Sequence, residues 1–277
     1  MSAFRNFAKS TWLGRLLLMP WRLWCSLLVT LKPVWMGFCW VFTSREHYNY
    51  TYNLHPMSLD YLAATLALVT GKSHAELMGY IREIEGDEKL KAHIVQKTQA
   101  SPEKYIADTE VRFGRRMGWY ALVRALKPKV VVETGVDKGL GSVVLVAALQ
   151  RNTAEGAPGE WIGIDINPAA GYLLQPPYDQ PARMVYADSL TTLAALKESV
   201  DVFIHDSDHS PDFETKEYEA VASKLSLQSV VLSDNAAHTN RLLDWALERK
   251  RQFLYYAEKP TGHWWPGEGI GFAFKTD

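Results

Sequence analysis

From Lys129 onwards, short apolar runs rich in β-branched residues alternate with stretches whose apolar residues recur at helical spacing. The runs predict seven strands, over 130–132, 161–165, 183–186, 202–205, 229–232, 253–257 and 270–274. The stretches between them predict helices over 142–149, 190–198, 214–225 and 238–250. This alternation is typical of an α/β fold with a mostly parallel sheet covered by helices on both faces. In such folds ligands bind beyond the carboxyl ends of the strands.

A helical region is predicted over residues 46–127, where it is expected to cap the sheet domain of residues 128–277 and to shape its substrate mouth. Ser58 and Ser73 are placed to cap two of its helices. Residues 101–126 predict one or two more.

The first 45 residues are chemically distinct from the rest of the chain. They contain no acidic residue and five of the ten tryptophans, and their six basic residues are Arg5, Lys9, Arg15, Arg22, Lys32 and Arg45. Tryptophan, arginine and lysine interleaved with leucine are typical of a membrane interface, so residues 11–42 predict attachment to a membrane surface. Pro20 and Pro33 are expected to divide this arm into short helices, as in a shallow hairpin within one leaflet. A transmembrane span and an arm buried in an oligomer interface are the alternatives.

Composition narrows the function classes. The chain is 47% hydrophobic and 22% charged, as globular proteins are, and its net charge of −1 argues against nucleic acid binding. Its two cysteines, Cys25 and Cys39, are too few for a disulfide framework and indicate an intracellular chain. Because the first 45 residues are basic, the rest of the chain carries 24 basic and 31 acidic residues.

Acidic residues follow five consecutive predicted strands. They are Glu133, Asp165, Asp188, Asp206 and Asp234. A single acid at such a position is usually a helix cap, but five in succession indicate a binding site at the carboxyl edge of the sheet.

The turn after the first strand, residues 133–142, contains three glycines that allow a ligand to approach the backbone. It matches neither the phosphate loop nor the G-x-G-x-x-G turn of dinucleotide enzymes. Glu133 directly before it would repel a pyrophosphate and suits a cationic ligand, such as an ammonium or a sulfonium. The carboxylate of Asp165, after the second strand, can bind ribose hydroxyls. Asp188, after the third strand, could contact an adenine amino group.

This turn and the Ile164-Asp165 strand end resemble the first two motifs of class I S-adenosylmethionine-dependent methyltransferases, over about residues 115–277. The resemblance implies a Rossmann-like, seven-stranded sheet and S-adenosylmethionine as cofactor. It implies a cofactor site formed by Glu133, Gly135, Val136, Ser142, Asp165, Asp188, Ser189 and Asp206.

A metal site is predicted at the next two strand ends. Asp206 ends the fourth strand, and Asp234 with Asn235 ends the fifth, so three oxygen ligands can converge. Such a set suits Mg²⁺. The alternative is that the two aspartates cap helices.

The same residues resemble the metal-dependent O-methyltransferases of the catechol type, and Asp-Ser-Asp-His-Ser also resembles a branch with sugar and antibiotic-tailoring enzymes. In the catechol enzymes a lysine follows the first metal aspartate by three residues, and here His209 holds that place. Histidine titrates near neutrality, so His209 and Asp206 are the predicted catalytic residues.

The acceptor is not identified by any motif. Trp264 and Trp265 could form an aromatic wall for a phenol or a sugar, and His238 is a weaker substrate candidate. The sequence favours a metal-dependent O-methyltransferase on the cytosolic face of a membrane, acting on a small or lipid-linked hydroxyl and forming homo-oligomers. An N-methyltransferase and a non-catalytic membrane adaptor with the same fold are the alternatives.

Overall fold

The computed structural model describes residues 2–47 and 50–275. The chain divides into two compact units. One comprises Met1–Ser44 with Gly262–Trp265, and the other comprises Arg45–Thr261 with Pro266–Asp277.

The first unit consists mainly of three helices: α1 (Ser2–Ser10), α2 (Trp12–Leu17) and α3 (Met19–Thr43). Pro20 lies in the first turn of α3, where no backbone N–H is needed, and marks the break that the sequence predicts. The predicted second break is wrong, because α3 continues through Pro33 for 25 residues, about 37 Å. None of its residues is buried. By length and composition, the segment Trp12–Thr43 could cross a membrane.

The second unit begins with a helical region. It contains α4 (Pro56–Thr70), α5 (His74–Glu85), α6 (Glu88–Ala100) and α7 (Arg116–Leu126), with a short antiparallel pair of β1 (Asn53–Leu54) and β8 (Pro260–Thr261). Ser73 caps α5 as predicted, accepting a hydrogen bond from the Glu76 amide at 3.2 Å. Ser58 does not cap α4, because His55 does so and the Ser58 hydroxyl is buried against the Tyr256 hydroxyl.

The second unit also holds the seven-stranded sheet that the sequence predicts. Its strands are β2 (Val130–Thr134), β3 (Glu160–Asp165), β4 (Ala182–Tyr186), β5 (Val200–His205), β6 (Leu225–Asp234), β7 (Gln252–Tyr256) and β9 (Ile270–Phe274). They lie in the order β4-β3-β2-β5-β6-β9-β7. Only β9 runs antiparallel to its neighbours, so the sheet is mostly parallel.

Helices α8 (Leu140–Ala154), α9 (Ser189–Ala195), α10 (Pro211–Ala222) and α11 (Arg241–Glu248) connect the strands. Apolar side chains of β2, β5 and β6 form a core with Tyr218 of α10 and Trp245 of α11. Both rings are largely excluded from solvent, which is the main source of stability for such a sheet.

Strand register determines which residues meet at the carboxyl edge of the sheet. Thr134, the last residue of β2, is paired with Ile164 of β3 on one side and with His205 of β5 on the other. His205 is in turn paired with Ser233 of β6. The residues that follow these positions are therefore brought together at one edge.

Candidate active site

A cleft of about 370 Å³ lies at this edge, within the volume range of small-molecule sites. The ends of β2, β3, β5 and β6 and the start of α8 supply most of its lining. The lining residues are Arg116, Glu133, Gly135, Val136, Asp137, Lys138, Leu140, Gly141, Asp165, Asn167, Asp206, Ser207, His209 and Asn235. Six of the predicted cofactor and catalytic residues are among them, together with Asn235.

Gly135 allows the turn after β2 to pass close to the end of β5. Its φ of +79° is a conformation that side chains disfavour. A Cβ atom added at this position would lie 2.1 Å from the carbonyl oxygen of Asp206. Glycine is therefore required for two strand ends to approach each other at the floor of the cleft.

Glu133 is the buried acid of the cleft, with 1% of its surface exposed. Its Oε2 accepts hydrogen bonds from the Ser142 hydroxyl and the Trp161 indole, both at 2.8 Å. Burial raises the pKa of Glu133 to about 7, although these two hydrogen bonds oppose the shift. Ser142 is fully buried, so its contact in this structure is with Glu133 rather than with the open cleft.

Asp165 holds the glycine turn in place. Its Oδ2 accepts hydrogen bonds from the backbone amides of Val136 at 2.9 Å and Asp137 at 3.0 Å. Its Oδ1 accepts one from the amide of Asn167 at 2.8 Å. The side chain also lines the cleft, so Asp165 supports the turn and remains available to a ligand.

Asp188 and Ser189 are not brought into the cleft. The Asp188 carboxylate caps α9 by accepting a hydrogen bond from the Thr191 amide at 2.7 Å. The Ser189 hydroxyl donates to Glu217. Adenine contacts by these two residues stay a prediction, while their observed contacts are those of a helix start.

Two of the three predicted metal ligands, Asp234 and Asn235, hydrogen-bond to an arginine, whereas Asp206 interacts with Asp234. Arg115, just before α7, donates from Nε to Asp234 Oδ1 at 2.6 Å and from Nη2 to the other Asp234 oxygen. Nη2 also donates to Asn235 Oδ1 at 2.5 Å. Burial alone would raise the pKa of Asp234, but the Arg115 guanidinium holds it below its usual range.

This arrangement does not fit the predicted divalent cation. A magnesium ion bonded at about 2.0–2.1 Å to the same oxygens would overlap the guanidinium and be repelled by its charge. Among residues 2–47 and 50–275, no group of three or more histidine, cysteine, aspartate or glutamate side chains is placed to hold a metal ion.

His209 lies beside this cluster, as its predicted role requires. Its Nε2 accepts a hydrogen bond from Asn235 Nδ2 at 2.9 Å and lies 3.8 Å from Asp206 Oδ1. Burial and the neighbouring His205 ring lower the pKa of His209 to about 4, so the ring is neutral at physiological pH. Burial and the Asp234 charge raise the pKa of Asp206 well above its usual range.

Two histidines near His209, His205 and His238, have different surroundings. His205 is fully buried, with Nδ1 at 2.7 Å from Glu217, as expected of a structural residue. His238 is half exposed and pairs with Glu268 at 2.7 Å. Its ring stacks on that of His209 at 6.0 Å, but His238 is not one of the residues lining the cleft.

The predicted aromatic wall does not line the cleft either. Trp264 and Trp265 belong to the first compact unit. The Trp264 ring lies 5.4 Å from that of Trp40, in an edge-to-face arrangement. Their proposed contact with an acceptor stays a prediction.

Sequence reasoning missed three cations in or beside the cleft: Arg115, Arg116 and Lys138. Arg116 and Lys138 line it, and Arg115 is 7% exposed. The Nε of Arg116 is buried and has no hydrogen-bond partner among the described residues. The Arg115-Arg116 pair within the predicted helical stretch 101–126 was the available signal, but such pairs are usually solvated, so the sequence did not distinguish them.

Comparisons with known proteins agree with this geometry. A family model described as a methyltransferase domain matches residues 132–236, which include the turn and both aspartate-bearing strand ends. Among curated proteins, no sequence matches the chain.

Two solved structures share the fold. The SAH-bound methyltransferase PaMTH1 of Podospora anserina has 15% identity and a TM-score of 0.50, over 69% of this chain and 88% of that one. Cofactor-bound Rv0187 from MTB has 17% identity and a TM-score of 0.50, over 68% of this chain and 90% of that one. The chain therefore matches a methyltransferase domain model over residues 132–236 and shares the fold of these two methyltransferase-like structures.

Proposed function

We propose that the protein is an O-methyltransferase that acts on the hydroxyl group of a small phenol, a sugar or a lipid-linked acceptor. The composition of the cleft carries this proposal, because one cavity holds both the cofactor-type residues Glu133, Gly135 and Asp165 and the proton-accepting residues Asp206 and His209. S-adenosylmethionine, when bound, supplies an electrophilic methyl group on a sulfonium.

The residues present fit this cofactor. Glu133 offers a buried negative charge to the cationic amino-acid portion, and Asp165 offers carboxylate oxygens to the ribose hydroxyls. Arg116 brings a guanidinium whose Nε has no partner among the described residues, which suits the carboxylate of the same amino-acid portion. Gly135 allows the turn after β2 to lie against the Asp206 backbone at the floor of the cleft.

The proton-accepting residues lie on the β5 and β6 side of the cleft. His209 is neutral and has a nitrogen lone pair, at present engaged by Asn235. We assign to His209 the removal of the acceptor's proton, and Asp206 Oδ1 lies 3.8 Å from His209 Nε2 in the same cleft. Holding the hydroxyl next to the cofactor contributes most of the remaining rate enhancement.

The test is a screen with radiolabelled S-adenosylmethionine against phenols, sugars, lipid-linked alcohols and matched amines. We expect label in an ether product, and loss of about 100-fold or more in rate for His209→Gln, as is typical when a general base is removed. Label that enters amines but no hydroxyl acceptor would replace O-methylation by N-methylation. A protein that binds no cofactor would contradict both.

Cofactor affinity should depend on pH through Glu133. Below pH 7 this carboxyl is largely protonated and attracts a cation weakly, so the affinity for S-adenosylmethionine should rise about tenfold between pH 6 and pH 8. Calorimetric titration across this range measures the effect. Glu133→Gln should bind weakly with no such rise, whereas Glu219→Gln, on the exposed surface, should behave as the unmodified protein does. A pH-independent affinity in the unmodified protein would contradict the assignment.

We further propose that residues 12–43 attach the protein to the cytosolic face of a membrane. Large apolar side chains along this segment are exposed, such as Trp12 at 75% and Val29 at 74%. Four basic residues precede the centre of α3 and Lys32 lies within it, and positive charge favours the cytosolic side. The methyl donor is cytosolic too, so both ends of the segment are expected on one side, as in surface attachment.

Flotation with liposomes tests this attachment. The double variant Leu28→Glu/Val29→Glu should stay at the bottom of the gradient, because two charges on an exposed apolar face oppose insertion. The matched control Leu227→Glu/Leu247→Glu alters residues of similar exposure in the second unit and should float with the lipid. Failure of the unmodified protein to float, together with self-association, would indicate an oligomer interface instead.

A further inference from the structure

Arg115 makes five hydrogen bonds, one for each N–H of its guanidinium. Nε and Nη2 donate to the two Asp234 oxygens and to Asn235, as described above. Nη1 donates to the Tyr52 hydroxyl at 2.7 Å and to Glu258 Oε1 at 3.2 Å. The guanidinium therefore has no N–H left to donate to a substrate. Its role is to bind neighbouring side chains of the protein.

The two carboxylate partners of Arg115 are at least as buried as the arginine itself. The side-chain exposures of Asp234 and Glu258 are 1% and 0%. Burying two charged carboxylates without a cation would be strongly unfavourable for folding. Here both carboxylates pair with the guanidinium of Arg115. A cation at this point is thus required, and the chain supplies it from its own sequence.

Arg115 also fixes the orientation of Asn235. Because Asn235 Oδ1 accepts from Arg115, its Nδ2 must point away from the guanidinium, and it donates to His209 Nε2 at 2.9 Å. The arginine thereby positions the His209 ring through one intervening amide. Among the described residues, this chain of contacts links the buried cation to the cleft.

We propose that Arg115 takes the place of the divalent cation, so that this methyltransferase works without one. The guanidinium neutralises Asp234 and orients Asn235, which are two tasks that a bound metal would otherwise perform. It leaves Asp206 and His209 facing the cleft as its proton-handling groups. Only the activity part of this proposal rests on the proposed O-methylation, since the exclusion of the ion can be measured without an acceptor.

The experiment measures Mn²⁺ binding by electron paramagnetic resonance in the full-length protein, Arg115→Ala and Arg115→Ala/Asp234→Asn. We expect the unmodified protein to show no stoichiometric site. Arg115→Ala should bind one Mn²⁺ about 100-fold or more tightly than the unmodified protein does, because a repelling charge is removed beside two oxygen ligands. The double variant should lose this site.

A stoichiometric Mn²⁺ site in the unmodified protein that Asp234→Asn abolishes would overturn the proposal. A folded Arg115→Ala variant that binds no Mn²⁺ would overturn it as well, since the oxygens would then not be an ion site that Arg115 fills. If Arg115→Ala does not fold, the presence or absence of a stoichiometric Mn²⁺ site in the unmodified protein tests the proposal. Once an acceptor is known, methyl transfer should proceed at an unchanged rate in excess chelator, and a tenfold loss restored by Mg²⁺ would refute the proposal.

Discussion

Replacing Gly135 with alanine should abolish cofactor binding and lower the free energy of unfolding by about 3 kcal/mol or more, from backbone strain and overpacking together. The new Cβ would lie 2.1 Å from the Asp206 carbonyl oxygen and 2.7 Å from the Ser207 Cα. These are backbone atoms of the segment that follows β5, so they cannot rotate away as a side chain would. The ends of β2 and β5 would have to separate, which removes the floor of the cleft.

Gly156→Ala is the matched control for this prediction. Gly156 has a similar positive φ, +83°, but an added Cβ would meet no atom within 4 Å. It should therefore show only the backbone strain, about 1–2 kcal/mol, and bind cofactor normally. Urea unfolding and calorimetry measure the two quantities. Equal losses of stability in the two variants would show that the close approach of β2 and β5 has no energetic consequence.

Arg115→Ala should lower the free energy of unfolding by about 3–5 kcal/mol, the range typical of a buried ion pair that loses one partner. The reason is the burial of the carboxylates left behind, since Asp234 and Glu258 have almost no exposed surface. Urea unfolding at neutral pH measures the change.

A second buried arginine offers a control with the same kind of network. Arg124 pairs with Glu83 and Glu155, but these carboxylates are 27% and 44% exposed. Water can solvate them after Arg124→Ala, so the loss of stability should be smaller, about 1–3 kcal/mol, and cofactor affinity should not change. A larger loss for Arg124→Ala than for Arg115→Ala would contradict the explanation by burial.

For the first 45 residues, attachment to a membrane stays a prediction, while the structure tests the predicted helices. The apolar, basic composition of the first 45 residues is a property of the residues themselves, and it identified a segment with exposed apolar side chains. The sequence predicted only one of the two helix breaks correctly, the one at Pro20. Pro33 lies inside the 25-residue helix α3, which continues past it although an interior proline removes one hydrogen bond of the helix.

By itself the sequence determined the sheet, its seven strands, the glycine turn and the convergence of Asp206, Asp234 and Asn235. These follow from periodicity and from the rule that parallel strands end at a common edge. Only the tertiary structure decided which group binds Asp234 and Asn235. Arg115 is 119 residues away from Asp234 along the chain. No local pattern distinguishes a buried arginine from a solvated one, because its energy depends on partners that folding alone brings near.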